Sequence, residues 1–296
     1  MSDPKDQLKH LGTVAGRVLT ALGLGFVIWA IWSQWGQVRD WQPTIAQFAT
    51  IAGLSVAYAA ILILPTANWA AIVAAFLPDP PPMRKRLLSY SKSQLAKYVP
   101  GNVMHLISRH IYLQQLGLPH QPLAKASFCE VIVQPLLACI AICLALMFVQ
   151  GVSLYGWALS SIAPFGLIIL VALTIGVLRG IHRPLLSVAP LIILRGALFM
   201  LGLGSIFAIT LQTVTYDFIA LAIPVAILAW LIGFLTPGAP GGIGVREAVM
   251  ITLMTGPVAR ADILITVILF RFVTTLGDVV LYLAGNLAEK MLGNDG

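Results

Sequence analysis

Charge is what this sequence has least of. Only 10% of its 296 residues are Asp, Glu, Lys or Arg, against about 25% in a soluble globular domain. That scarcity excludes an ordinary water-soluble fold, and the 59% hydrophobic content excludes disorder. No stretch is long and polar enough to form a soluble catalytic domain. The chain has three cysteines, Cys129, Cys139 and Cys143, all in one apolar stretch. They read as small core residues and say nothing about redox compartment. Also missing are a P-loop, metal-ligand spacing, a pair of carboxylates with an acid/base split, and a Ser/His/Asp arrangement. No metal, no cofactor and no enzyme active site are therefore expected. The net charge of +7 does not point to nucleic acid, because the basic residues fall in short loops, as positive-inside topology demands.

What is present is apolar sequence, with mean hydropathy +0.92. Several runs approach the ~20 residues that a bilayer span needs. The expected fold is an all-α polytopic membrane protein of about seven to eight transmembrane helices, in a single domain over residues 1–296. The spans are expected near Val14 to Trp32, Phe48 to Leu77, Leu123 to Val149, Trp157 to Leu178, Ala189 to Leu211, Phe218 to Leu235 and Asp262 to Leu287. No secretory cleavage site follows the first run, which is read as a retained span. Its far end carries Trp29, Trp32, Trp35 and Trp41 as an aromatic belt. Pro65 is expected to kink the long second span. The cluster Arg84-Lys85-Arg86 places its loop, and with it the N-terminus, in the cytoplasm. The chain is expected to end outside if Ala248 to Thr255 returns to the side it came from, and in the cytoplasm if it crosses.

The stretch Leu235 to Glu247 organises the reading: Leu-Thr-Pro-Gly-Ala-Pro-Gly-Gly-Ile-Gly-Val-Arg-Glu. Its two prolines and four glycines cannot continue a helix. A broken backbone at membrane depth survives only where protein or a water-filled cavity covers it. A helix starting near Gly242 would aim free N–H groups at an anion, with Arg246 in its first turn. A plain Gly/Pro loop with Arg246 reaching to an interface is the alternative.

A second stretch, Lys97 to Arg109, also breaks at Pro100-Gly101. Asn102, His105, Arg109 and Tyr112 then recur at steps of three, four and three, on one helical face. This segment reads either as an interfacial amphipathic helix or as a half-helix dipping into the bilayer. Pro100 precedes Arg109 by nine residues, as Pro237 precedes Arg246. Each unit leads into a span with an ionisable residue, Glu130 or Arg271. These units, 84–149 and 218–288, form a candidate internal repeat of the kind that frames transporter sites. Ionisable residues within spans are functional candidates by default. Glu130 sits with Ser127 and Gln134 on one polar stripe. Arg271 and Asp278 lie two turns apart, about 10 Å, leaving room for a headgroup or water. Arg195, near a span end, is expected to snorkel.

Lys97-Tyr-Val-Pro-Gly, with Arg109 and Gly117 downstream, and Pro-Gly-Gly-Ile-Gly-Val-Arg-Glu, with Arg271 downstream, resemble the two signature regions of the lysylphosphatidylglycerol synthase/flippase transmembrane family. The resemblance runs from about Val14 to Leu287, and the second string is its specific part. It implies a bacterial or archaeal cytoplasmic-membrane protein with a flippase-like domain. The C-terminal cytosolic synthase domain of its best-known members has no counterpart here, so the cargo is expected to be an anionic phospholipid or a polyprenyl-phosphate lipid. Arg109, Arg246, Arg271, Gly101, Gly242 and His105 are the expected headgroup-binding residues. Glu130, Glu247, Asp278 and Gln134 are expected to pair with those charges or to carry a coupling proton. The alternatives are a membrane enzyme of lipid biosynthesis, or a scaffold recruiting a cytosolic enzyme through Arg84-Lys85-Arg86.

Overall fold

The computed structural model describes residue 32 and residues 44–291, apart from 100–102, 152, 155–156, 216–218 and 237–239. The first expected span (Trp32 aside) and Gly101 lie outside the described residues. The described chain is helical except for short connections and one two-residue antiparallel pair, β1 (Ser153–Leu154) with β2 (Trp157–Ala158). Five helical units are long and apolar enough to cross a membrane. The first is α1 (Ile45–Ile61) continued by α2 (Ile63–Phe76). Thr44 starts it with a reciprocal cap: its hydroxyl accepts from the Gln47 N–H, and the Gln47 side chain accepts from the Thr44 N–H. The break falls at Leu62, one turn before Pro65, because proline has no N–H to bond the carbonyl four residues back. The other four are α5 (His120–Leu146), α6 (Leu159–Ile181), α7 (Ala189–Thr215) and α10 (Arg260–Met291). The side chains of α6 match a hydrocarbon surroundings. Phe165 is 69% exposed and Ile168 67%, which water would penalise and lipid does not.

Four shorter helices form two hairpins. In the first, α3 (Met83–Ser93) runs into a 3₁₀ turn, Gln94–Tyr98, and α4 (Met104–Gln115) packs back along α3. In the second, α8 (Ala222–Leu235) is followed by a 3₁₀ turn, Pro240–Gly242, and α9 (Val245–Met254) packs back along α8. At 1.5 Å per residue, α8 reaches about 21 Å and α9 about 15 Å, short of the ~30 Å hydrocarbon core. The run expected as a sixth span is therefore a helix shorter than a full span, and Ala248 to Thr255 packs back along it. Apolar composition cannot tell a short helix from a whole span when the breakers come only at its end.

The two hairpins start from opposite ends of the molecule. Arg84, at the start of α3, donates to the carbonyls of Ala288 (3.3 Å) and Glu289 (3.4 Å) at the end of α10. Lys92 pairs with Glu289 at 2.6 Å. The second hairpin instead has its base where α10 begins. Arg86 donates to the carbonyls of Pro81 (3.0 Å) and Ala70. The basic cluster thus ties helix ends together. It also puts the end of α10 on the face of the Arg84-Lys85-Arg86 cluster.

Glycines set the closest helix contacts. A Cβ at Gly277 of α10 would lie 2.6 Å from Tyr58 Cδ1 and 2.7 Å from the Ser55 carbonyl oxygen of α1. Backbone cannot yield as a side-chain tip can, so Gly277→Ala is expected to separate α1 from α10. Overpacking of this kind costs about 1–3 kcal/mol. Thermal unfolding in detergent should show a clear loss for Gly277→Ala. Gly176→Ala, on α6 with nothing within 4 Å, should show none.

Candidate functional site

The hairpin tips meet halfway along α10. Tyr98, at the end of the first tip, lies against Gly241 of the second: a Cβ there would sit 3.4 Å from its ring. The Tyr98 hydroxyl donates to Thr275 Oγ1 at 3.3 Å and to Asp278, near the midpoint of the 32-residue α10. The convergence gathers seven charged side chains from four helices and the first tip.

Three ion pairs account for six of them. The first is Arg109 of α4 with Glu130 of α5. Arg109 Nη1 donates to both carboxylate oxygens, at 2.8 and 2.6 Å. Its Nε reaches Ser93 Oγ at 3.2 Å. Its guanidinium lies 4.0 Å from the Tyr90 ring centre and 5.1 Å from that of Trp69. Arg109 is 2% exposed, and the Trp69 beside it is fully buried. Trp69 is itself fixed by a 2.9 Å bond from its Nε1 to Ser89 Oγ.

The second pair is Lys97 with Asp278, at 2.6 Å. Gln94 Nε2 adds a 3.0 Å bond to the other carboxylate oxygen. Asp278 is fully buried, and these donors satisfy it. The gap expected between Arg271 and Asp278 is thus closed by the first hairpin tip, which corrects the reading of that gap as room for a headgroup. The motif around Lys97 does not name its partner. Its distance from Asp278 in sequence left no local signal for the pair.

The third pair is Arg271 with Glu247, at 3.5 Å. The other oxygen of Glu247 accepts from the Gly244 N–H at 2.6 Å. This also corrects an expectation. The helix after the glycines starts at Val245, not near Gly242, and a carboxylate already occupies its first free N–H. The reason is backbone geometry: Gly241, Gly242 and Gly244 have φ of 57°, 73° and 84°, a left-handed path that breaks any helix before Val245.

Arg246 is the seventh charge, and no carboxylate lies within ion-pair distance of it among the described residues. Its side chain runs between two glycines. A Cβ at Gly233 would lie 2.5 Å from Arg246 Cγ, and one at Gly242 would lie 2.4 Å from its Nε. Its guanidinium sits 5.7 Å from the Trp230 ring centre, close enough for a cation–π contact. Among the described residues that gather here, Arg246 Nε, Arg271 Nη2 and His105 Nδ1 are buried and without a hydrogen-bond partner.

Two adjoining cavities share this wall. The larger has a volume of about 80 Å³ and is lined by His105, Arg109, Glu130, Gln134, Lys97 and Arg246 among others. The smaller is lined by Arg246, Glu247, Arg271 and Thr274. Tyr58, Trp230 and Arg246 belong to both. Of the residues singled out from sequence, Arg109, Glu130, Gln134, His105 and Arg246 face one cavity, Arg246, Glu247 and Arg271 the other, and Asp278 lies behind Lys97. Gly242 shapes the path of Arg246. Arg195 lies apart, in a groove with Arg86. His110 meets His120 at 2.8 Å, outside the cavities, a contact that sequence spacing did not suggest. Among the described residues no group of three or more His, Cys, Asp or Glu is placed to hold a metal ion. No protein family, curated protein or solved structure matches the chain.

Proposed function

We propose that this protein is a lipid translocase of the bacterial or archaeal cytoplasmic membrane, moving a lipid with an anionic, phosphate-bearing headgroup between leaflets. The observation that carries the reading is Arg246, a guanidinium without an acidic partner, held on a cavity wall where two hairpin tips meet at the middle of a spanning helix. An unpaired cation at that depth is expensive, and function is its usual reason. Arginine suits phosphate through its planar fork. Apolar Leu106, Val131, Phe199 and Phe234 share the cavity wall with the charges, so a headgroup could enter while its tails stay in hydrocarbon.

In this reading the hairpins are re-entrant, one from each face, and related as an inverted repeat. The face with Arg84, Lys85 and Arg86 is cytoplasmic by its excess of basic residues. The resemblance of the Pro-Gly-Gly-Ile-Gly-Val-Arg-Glu string to flippase-like domains agrees with this. Arg246 and Arg271 hold phosphate, His105 and Gln134 offer neutral hydrogen-bonding groups, and Glu130, Glu247 and Asp278 hold the remaining cations in place. The test is transport by purified protein in liposomes. A labelled anionic phospholipid should change leaflets without a nucleotide and be recovered chemically intact. A new lipid product would turn the reading toward an enzyme. An unmoved lipid, for every anionic headgroup tried, would end it.

A further inference from the structure

We propose that the cavity selects a headgroup by its charge and takes a monoanion, a phosphodiester lipid, in preference to a phosphomonoester or diphosphate lipid. The inference rests on the translocase site above and narrows its substrate class. Four cations and three carboxylates converge on the two cavities. Each of the three carboxylates is held by one cation, Lys97–Asp278 at 2.6 Å, Arg109–Glu130 at 2.6 Å and Arg271–Glu247 at 3.5 Å. Only Arg246 is left, so with histidine neutral the empty site carries a single positive charge. Proton exchange inside any of the three pairs leaves that charge unchanged.

A single negative charge beside Arg246 closes the balance. A second one must either stay buried without a partner or take a cation from its carboxylate, and either outcome is penalised in a low-dielectric site. The pairs are not equally ready to give one up. Arg109 is buried under Tyr90 and Trp69, and Asp278 is fully buried among three donors. The loosest pair, Arg271–Glu247, has its carboxylate tied to the Gly244 N–H as well. The unpartnered donors point the same way. Arg246 Nε and Arg271 Nη2 both lie beside the left-handed glycines, Gly242 and Gly241 respectively. One phosphate with one charge can draw on both guanidinium groups while Glu247 keeps its place.

Binding is the readout, so that transport is not needed. Purified protein is mixed with phosphatidylglycerol, phosphatidic acid or phosphatidylcholine of identical acyl chains, and retained lipid is counted by native mass spectrometry. At pH 8 phosphatidic acid is largely dianionic, since the second pKa of a phosphomonoester is about 6. Phosphatidylglycerol should then be retained at least about tenfold better than either other lipid, given the penalty on an unpaired buried charge. At pH 5, where phosphatidic acid is a monoanion, its disadvantage should shrink to within about threefold. Arg246→Gln should lose the preference for phosphatidylglycerol over phosphatidylcholine. Arg246→Lys, which keeps the charge, should retain it. Phosphatidic acid bound as well as phosphatidylglycerol at pH 8 would overturn the proposal, and so would an Arg246→Gln protein with the wild-type preference. If Arg246→Gln does not fold, the pH series on the wild type and Arg246→Lys still decide. Protein that selects phosphatidylglycerol yet moves no lipid refutes the translocase reading alone. Protein that moves lipid without charge selection refutes this one alone.

Discussion

Arg246→Lys should insert and purify like the wild type and lose most lipid movement, to below about a tenth of the wild-type rate, because a lysine point charge cannot replace a planar fork. Lysine keeps the charge, so the balance around Glu247, Glu130 and Asp278 is undisturbed. What it loses is bidentate bonding and the flat face that lies against Trp230, 5.7 Å from the ring centre. The path between Gly233 and Gly242 was cut for a side chain that ends in a plane. A flexible ammonium would wander in the same space. Arg195→Lys is the control, since Arg195 lies in a groove away from the hairpin tips. Leaflet exchange of a labelled anionic lipid in liposomes measures both. Equal transport by the two variants would make Arg246 a structural charge and move the search to Gln134 and His105.

The second large effect is on folding. Glu130→Gln leaves Arg109 charged, 2% exposed and facing the aromatic rings of Trp69 and Tyr90. Removing one partner of a buried pair costs about 3–5 kcal/mol, against a net stability that is often not much larger. Glu130→Leu, which strands Arg109 in the same way, and Arg109→Met should each yield little monodisperse protein, with a sharply lowered thermal midpoint. The double variant Arg109→Met with Glu130→Leu should recover much of the loss, because replacing a whole buried pair by apolar groups is often neutral. Thermal unfolding of the four proteins in one detergent forms the cycle. If the double variant is as damaged as the singles added together, the pair has no special coupling and Arg109 belongs with the binding residues. Arg246, by contrast, should tolerate removal more easily, since no carboxylate loses its partner.

The contrast between these two arginines shows what the sequence could and could not convey. Both stand nine residues after a Pro-Gly step, and both looked equally suited to a headgroup. The difference lies in what surrounds them, Glu130, Ser93, Tyr90 and Trp69 for Arg109 and two glycines with Trp230 for Arg246. Apart from Gly242, none of this is local. Long spans were legible because about 20 apolar residues in a row admit few other structures. The shortness of α8 was not, because its 14 residues are as apolar as the start of a full span. The start of α9 was misplaced by three residues, since sequence alone does not say which glycines of Pro-Gly-Gly-Ile-Gly will be left-handed. Asp278 stood out as a carboxylate in a span, but its partner Lys97 sits on another hairpin tip. Pairing at that separation leaves no periodic trace.

The joining of the first hairpin to the last helix also bears on the order in which the chain can assemble. Gln94, Lys97 and Tyr98 find their partners on α10, across about 180 residues of sequence. Lys92 and Arg84 likewise reach its end. With 11 and 12 residues, α3 and α4 are each too short to be inserted as independent spans. During synthesis the first hairpin must therefore wait, its Lys92 and Lys97 without their carboxylates, until the final helix has been delivered. Contacts this distant form late and slowly. The junction of the first hairpin tip with α10 is thus completed last, and a ribosome that stalls before α10 releases a chain in which Gln94, Lys97 and Tyr98 have no partners to meet.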